Sequence, residues 1–254
     1  MNDIVAFELR GNFASFADPL GISNTFSLPM PTKTAIAGII GAMIGIDDVK
    51  SDEKLYEFNY SIVSLNPLVK QTFSQNFIDD YTSGVKSKFD KIKKGEKTIE
   101  SPDFVKPKPT NRELLINPKY IIIVQHPHYS KRLEQNLKNR TPKYPIYLGN
   151  SEFAGMFEYL EIKTIEGLEG ENIEIDSIFP KEYEIESFDL NSIYTTVRMA
   201  TKVEKGSFDN NRKYSNYQTV VFSTGVTTLR KCQYYSIHFK EIFISKEHIN
   251  VVLV

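Results

Sequence analysis

The run Ala35 to Ile46, AIAGIIGAMIGI, constrains the fold more than any other part of the chain. These twelve residues carry no polar side chain. The run is about two-thirds of the roughly 18 residues that make a spanning helix plausible, and Asp47-Asp48 close it. It reads as a buried helix. Pro31-Thr32-Lys33-Thr34 offers a helix start with threonine at the cap, and Gly45 with the two aspartates offers the stop. Its alanines and glycines let such a helix lie close on a sheet, so strands must be near.

Strand and helix patterns fill the first 165 residues. Ile4 to Leu9 is short, β-branched and aromatic, and Gly11 ends it. After a loop over residues 11–31 and the apolar helix come strands at Tyr60 to Lys70, weakened by Pro67, and at Leu114 to Gln125, bent at Pro118. Tyr129 to Arg140 has helical composition, with Leu133 and Leu137 four apart on one face, and Phe157 to Thr164 alternates like a strand. The order β, α, β, β, α, β is that of the ferredoxin-like (RRM-like) plan, an α+β fold with two helices on one face of an antiparallel sheet of order 4-1-3-2. We expect this domain over residues 1–166. A smaller β-rich part is expected over 167–254, with strand-like runs at Tyr194 to Thr201, Thr219 to Ser223 and Tyr234 to Ile244.

Thirty-one Lys and Arg against thirty-two Asp and Glu leave a net charge of −1. Whole-chain electrostatics therefore neither draw nucleic acid in nor repel it. Three blocks lie beneath that total. Lys86 to Arg112 carries nine basic and four acidic residues (+5), Ser151 to Asp189 two and twelve (−10), and Leu190 to Lys240 eight and two (+6). A charge run is by default a solvated face, so the blocks gain meaning only where the fold brings them together. Cys232 alone cannot make an intrachain disulfide, and Met1 to Arg10 lacks a basic, apolar leader. The expectation is a reducing, cytoplasmic setting.

In a 4-1-3-2 sheet, several marked loops are expected at one end. They are the end of strand 1 (Gly11, Asn12, Phe13), the helix start (Thr32, Lys33, Thr34), Arg112 just before strand 3, and the loop with Gly149 and Asn150. The segment 71–111 leaves from the same end and is about forty residues long, where a hairpin needs two to five. It interleaves lysines, Lys86 and Lys88 among them, with Phe77, Tyr81, Phe89 and Phe104. That mixture suits phosphate pairing with base stacking, and equally suits docking on another protein. The helix-start N–H groups, the Thr32 and Thr34 hydroxyls and the Lys33 ammonium can hold a phosphate, although taken alone they make an ordinary cap. Gly11 and Gly149 permit close backbone approach, although a glycine after a strand is commonly a turn. Phe13 and Phe16 are stacking candidates for which the core is the default. Arg112 can pair a phosphate bidentately, and Arg198 in the second basic block is a weaker choice.

Four blocks that contain these residues, FELRGNFASF (Phe7 to Phe16), FSLPMPTKTAIAGIIGAMIG (Phe26 to Gly45), ELLINPKYIIIV (Glu113 to Val124) and YPIYLGNSEFAG (Tyr144 to Gly155), resemble in order and spacing the CRISPR-associated protein 5 family of the RAMP superfamily. The likeness covers about the first 155 residues and then fades. Length and the PTKTA block look most like the type I-B or I-A branch. The resemblance implies a subunit of the type I surveillance complex Cascade, in antiviral defence, that binds the 5′ handle of the mature guide RNA (crRNA) and caps one end of the backbone filament. It also implies that segment 71–111 is the family's thumb, that the backbone and large subunits are partners, and that target DNA is met only through the complex. Gly11, Asn12, Thr32, Lys33, Thr34, Gly149 and Asn150 would then cradle sugar-phosphate or splayed bases. Neither residues nor resemblance call for a cofactor or a membrane.

Some members of the resembled family cleave precursor guide RNA. Metal-independent cleavage needs a base, an acid and a cation, which His, Tyr and Lys can supply. His238 and His248 lie in strand-like segments, whereas His126 and His128 in QHPHYS stand near Tyr129 and Lys131. That cluster is expected at the sheet end opposite the RNA loops. The cleaving members' motif does not match these positions, so no catalytic residue is assigned. His126-Pro127-His128 has no evident third ligand, which argues against a metal, and there is no P-loop, dinucleotide fingerprint, HExxH pair or G-x-S-x-G elbow. Three functions stand open: a non-catalytic guide-RNA-binding subunit, which the sequence favours, a guide-processing endoribonuclease, and a protein-docking module.

Overall fold

The computed structural model describes residues 4–18, 25–47, 52–78, 90, 93–95, 107–205, 212–241 and 248–254. The first half runs β1 (Ile4–Arg10), β2 (Phe13–Ala14), β3 (Phe16–Ala17), β4 (Ser27–Leu28), α1 (Lys33–Ile44), β5 (Asn59–Ser64), β6 (Val69–Ile78), β7 (Pro107–Ile116), β8 (Lys119–Gln125) and α2 (Ser130–Lys138). Among the described residues, the elements of the second half are all strands: β9 (Met156–Leu160), β10 (Ile162–Ile175), β11 (Phe179–Pro180), β12 (Ile185–Phe188), β13 (Tyr194–Lys205), β14 (Arg212–Ser223), β15 (Thr227–Phe239) and β16 (His248–Val251).

Four of these strands form the sheet that organises the rest, in the order β5-β8-β1-β9 with every neighbour antiparallel. Numbered first to fourth along the chain, they lie in the order 4-1-3-2. β1 alternates between two apolar environments, as strand geometry requires. Val5, Phe7 and Leu9 join the cluster that holds α1 and α2, while Ile4 and Ala6 join Ile121, Ile123 and Val63 on the other face. Ile237, Ile249 and Val251 from β15 and β16 cover that second face. Each fully buried side chain of this size contributes about 1.5–3 kcal/mol, so a strand sealed on both faces fixes its register firmly.

The apolar character of α1 has the same cause. A helix apolar all round must be buried all round. One side of α1 lies on the first sheet and the other meets β13, whose Val197, Met199 and Val203 belong to the same core. Ala35 N–H donates to Thr32 Oγ1 (3.4 Å) at the start, and Gly45 takes φ +75° at the end, donating to the Gly41 carbonyl.

Several expected strands divide. Tyr60 to Lys70 becomes β5 and the beginning of β6, separated around Pro67, which has no N–H for a ladder. Leu114 to Gln125 is not one bent strand. It is the end of β7 and the whole of β8, in different sheets, with Asn117 between them at φ +47°. Phe157 to Thr164 spans β9 and the start of β10. The loop over 11–31 carries β2, which joins the foot of β7 (Phe13↔Ile116), and β3, which pairs with β4. The run Thr219 to Ser223 is part of the longer β14, and Tyr234 to Phe239 is the end of β15, while residues 242–244 of the expected run lie outside the described residues.

β6 and β7 pair from Val69↔Ile116 to Ile78↔Pro107, an arm about 30 Å long at ordinary strand rise. The described β6 residues 69–76 are exposed, whereas Arg112, Leu114 and Leu115 at the inner end of β7 are buried, so only the part of the arm beyond Arg112 stands away from the core. Lys86 and Lys88 lie outside the described residues.

Candidate nucleic-acid interface

Six of the residues singled out in the sequence come together in one groove. Thr32, Thr34, Gly149 and Asn150 line a concavity of about 440 Å3 with Ser15, Phe16 and Tyr214. A second, of about 310 Å3, continues from it through Ala17, Thr32, Thr34 and Tyr214 to Arg198 and Tyr217. The groove is assembled from the start of α1, the loop before β9, β3 and the β13–β14 hairpin. The glycine in its wall is dictated by packing. Gly149 has φ +92°, and a Cβ there would sit 1.8 Å from the Ser15 carbonyl oxygen. Gly11 is held likewise, because a Cβ would lie 2.5 Å from Leu148 Cδ1.

Three of the eight basic residues of the second basic block pair with the acidic one. Arg230 pairs with Glu184 and Glu186, Lys231 with Glu169, and Lys240 with Glu161, while Lys202 pairs with Glu204. Arg198 differs. Its guanidinium lies over the Tyr217 ring, 5.1 Å from the centroid, and no carboxylate among the described residues pairs with it. It is the groove's available cation.

A second surface adjoins the foot of the arm. Phe13, 40% exposed, meets Phe73 edge-on at 6.2 Å and Phe153 at 6.4 Å. Arg112 sits over Phe153 (4.8 Å) and pairs with Glu152. Arg112 was expected immediately before strand 3 but lies within β7, only 5% exposed, with Nη2 buried and unpartnered. Asn12 is exposed beside this foot, and its carbonyl accepts the Asn117 N–H. Phe16 is 3% exposed and belongs to the core.

Lys33 departs from the expected convergence. Its ammonium lies over the Phe58 ring (5.1 Å), next to Asn59, which pairs with Gln125 at the end of the sheet where β1 begins. The long connection from β1 lets α1 start there. Burial lowers the Lys33 pKa. Phe58 also stacks on His126 (5.7 Å), so Lys33 shares its end of the sheet with the histidine cluster that was expected to be remote. His126 is wholly buried. Its Nδ1 accepts the N–H groups of His128 and Tyr129, and burial, then the charge of His128, push its pKa down to about 4. His128 faces Glu57 (3.0 Å), and Tyr129 donates to Asp52 (2.7 Å), a bond that raises the phenol's pKa. His126 therefore acts as a neutral cap for the turn into α2.

Sequence reasoning missed Phe73, Phe153, Tyr214 and Tyr217. The two tyrosines are three apart in a strand, a spacing that normally puts them on opposite faces. No group of three or more His, Cys, Asp or Glu among the described residues is placed to hold a metal ion. No described helix is long and apolar enough to cross a membrane.

Comparison with known proteins agrees with this architecture. The sequence matches the family described as CRISPR-associated protein (Cas_Cas5) over residues 4–225, well past residue 155, where the likeness was expected to fade. Among solved structures, the chain is similar to one described as a CRISPR RNA-guided surveillance complex, at 14% identity over 89% of this chain and 91% of that one, with TM-score 0.51. It is also similar to a CRISPR protein from Archaeoglobus fulgidus, at 13% identity over 98% of this chain and 99% of that one, with TM-score 0.51. At such identities these two likenesses speak for the fold alone. No curated protein matches. The family match spans most of the chain, from β1 through β14: this protein belongs to the CRISPR-associated Cas5 family.

Proposed function

We propose that this protein is a non-catalytic, guide-RNA-binding subunit of a type I CRISPR surveillance complex, Cascade. It caps the 5′ handle of the mature crRNA and contacts the backbone and large subunits, and the β6–β7 arm serves as the thumb of a ferredoxin-like RAMP domain. The observation that carries this reading is the groove joining Thr32, Thr34, Gly149, Asn150 and Arg198, residues from three distant stretches of sequence. Hydroxyls, an amide, helix-start N–H groups and a guanidinium together suit a bent single strand with 2′-hydroxyls. A near-neutral subunit can serve this task because contacts with neighbouring subunits add to its hold on RNA.

The ribonuclease reading draws support from Lys33 lying over Phe58, whose ring stacks on His126, the neighbour of His128 and Tyr129. Against it, His126 is sealed from solvent with Nδ1 already accepting backbone N–H groups. The test replaces two exposed groove residues, Arg198→Ala with Asn150→Ala, and measures binding of handle-bearing and handle-less RNA on native gels. The expected result is loss of the preference for the handle. Unchanged preference would leave protein docking as the groove's task.

A further inference from the structure

We infer that Tyr214, Tyr217 and Arg198 form a stacking platform for one unpaired base of the bound RNA, aimed by the left-handed backbone of Asn216. The inference rests on the RNA-binding reading above and gives that groove a base-recognition site. Tyr214 and Tyr217 stand 44% and 55% exposed on β14. In a regular strand their side chains would point to opposite faces, yet both line the same 310 Å3 concavity. Between them Asn216 takes φ +53°, a conformation that asparagine tolerates and β-branched residues do not. The pairing with β13 steps across this point from Ala200↔Tyr217 to Lys202↔Ser215, and the Thr201 hydroxyl donates to the Asn216 carbonyl at 2.6 Å. The Asn216 carbonyl is thus held by a specific bond.

The occupant follows from the chemistry of the walls. The pocket lies in the size range of small-molecule sites, and its exposed lining pairs flat rings with a guanidinium that no carboxylate among the described residues neutralises. Rings with a cation beside them are the sequence-tolerant means of holding single-stranded bases. The concavity is continuous with the one lined by Gly149 and Asn150, so a base in it stays on the strand's path. An apolar peptide segment would gain less here, because the Arg198 charge would have to be desolvated beside it.

The test uses the full-length chain and 5′-handle RNA carrying 2-aminopurine at each handle position in turn. For one position we expect fluorescence quenching on binding that is lost in Tyr214→Ala and in Tyr217→Ala. Affinity should fall roughly 5- to 150-fold per ring removed. Tyr217→Phe should keep both quenching and affinity, because stacking needs the ring and not the hydroxyl. Asn216→Gly should behave as wild type, and Asn216→Val should lose the quenching. If the alanine variants bind and quench as wild type does, the platform is wrong while handle binding stands. If the wild-type chain binds no RNA and the alanine variants instead lose a protein partner, both readings fall.

Discussion

Substituting Gly149 by alanine isolates the packing that builds the groove. At φ +92° an alanine stores about 1–2 kcal/mol of backbone strain. Its Cβ would also stand 1.8 Å from the Ser15 carbonyl oxygen and 2.7 Å from its carbon, so backbone must move. Overpacking of that kind costs about 1–3 kcal/mol, and the two together give about 2–5 kcal/mol, a large share of the 5–15 kcal/mol typical of a folded protein. Gly38 is the internal control. It lies within α1, and a Cβ there meets nothing within 4 Å. Gly38→Ala should therefore stabilise the chain by about 0.5–1 kcal/mol through helix propensity. Urea denaturation reads both changes. With a slope of about 3 kcal/mol/M, the midpoint falls by about 1 M for Gly149→Ala and rises by about 0.3 M for Gly38→Ala. Equal midpoints for Gly149→Ala and wild type, or a loss in Gly38→Ala as large as that in Gly149→Ala, would refute the packing argument.

The folded-state pKa of His126, about 4, lies below its ordinary 6.5. Its contribution is therefore complete above pH 6.5 and is lost as pH falls toward 4, amounting to about 3 kcal/mol. Denaturation midpoints from pH 7 to 4 should fall more steeply in wild type than in His126→Asn, and parallel curves would contradict the assignment. Glu152→Ala should cost about 1–2 kcal/mol, more than an exposed carboxylate usually does, because it leaves the buried Arg112 guanidinium without its anion. A change within 0.5 kcal/mol in chemical denaturation would show that Arg112 needs no partner. Cys232 is buried, and burial raises its thiol pKa. It should resist a thiol reagent until the chain unfolds, and immediate labelling of the native protein would place it elsewhere.

The sequence displays most openly what burial imposes. β1 and α1 follow from continuous apolar runs, the ends of α1 from Thr32 and Gly45, and α2 from Leu133 and Leu137 spaced four apart. β2, β3 and β4 are two residues each, too short to leave a period. The division at Asn117 was half visible, because Asn117-Pro118 interrupts Leu114 to Gln125 but reads equally as a bend in one strand, whereas the left-handed Asn117 carries the chain from one sheet to another. The groove was half legible. Thr32, Thr34, Gly149 and Asn150 meet as expected, whereas Lys33 points to the other end of the sheet and Arg112 is held by Glu152 and Phe153. Tyr214 and Tyr217 escaped because strand periodicity assigns them to different faces, yet both line one concavity, with Asn216 at φ +53° between them.

The most direct measurement incubates the purified chain, in EDTA, with end-labelled precursor guide RNA, mature guide RNA and mature RNA lacking the 5′ handle. Cleavage is resolved on a denaturing gel and binding on a native one. The expected result is binding to mature RNA that weakens when the handle is removed, with no site-specific cleavage in any lane. Site-specific cleavage of the precursor, abolished by His128→Ala or Lys33→Ala, would contradict it and make this chain a guide-processing nuclease.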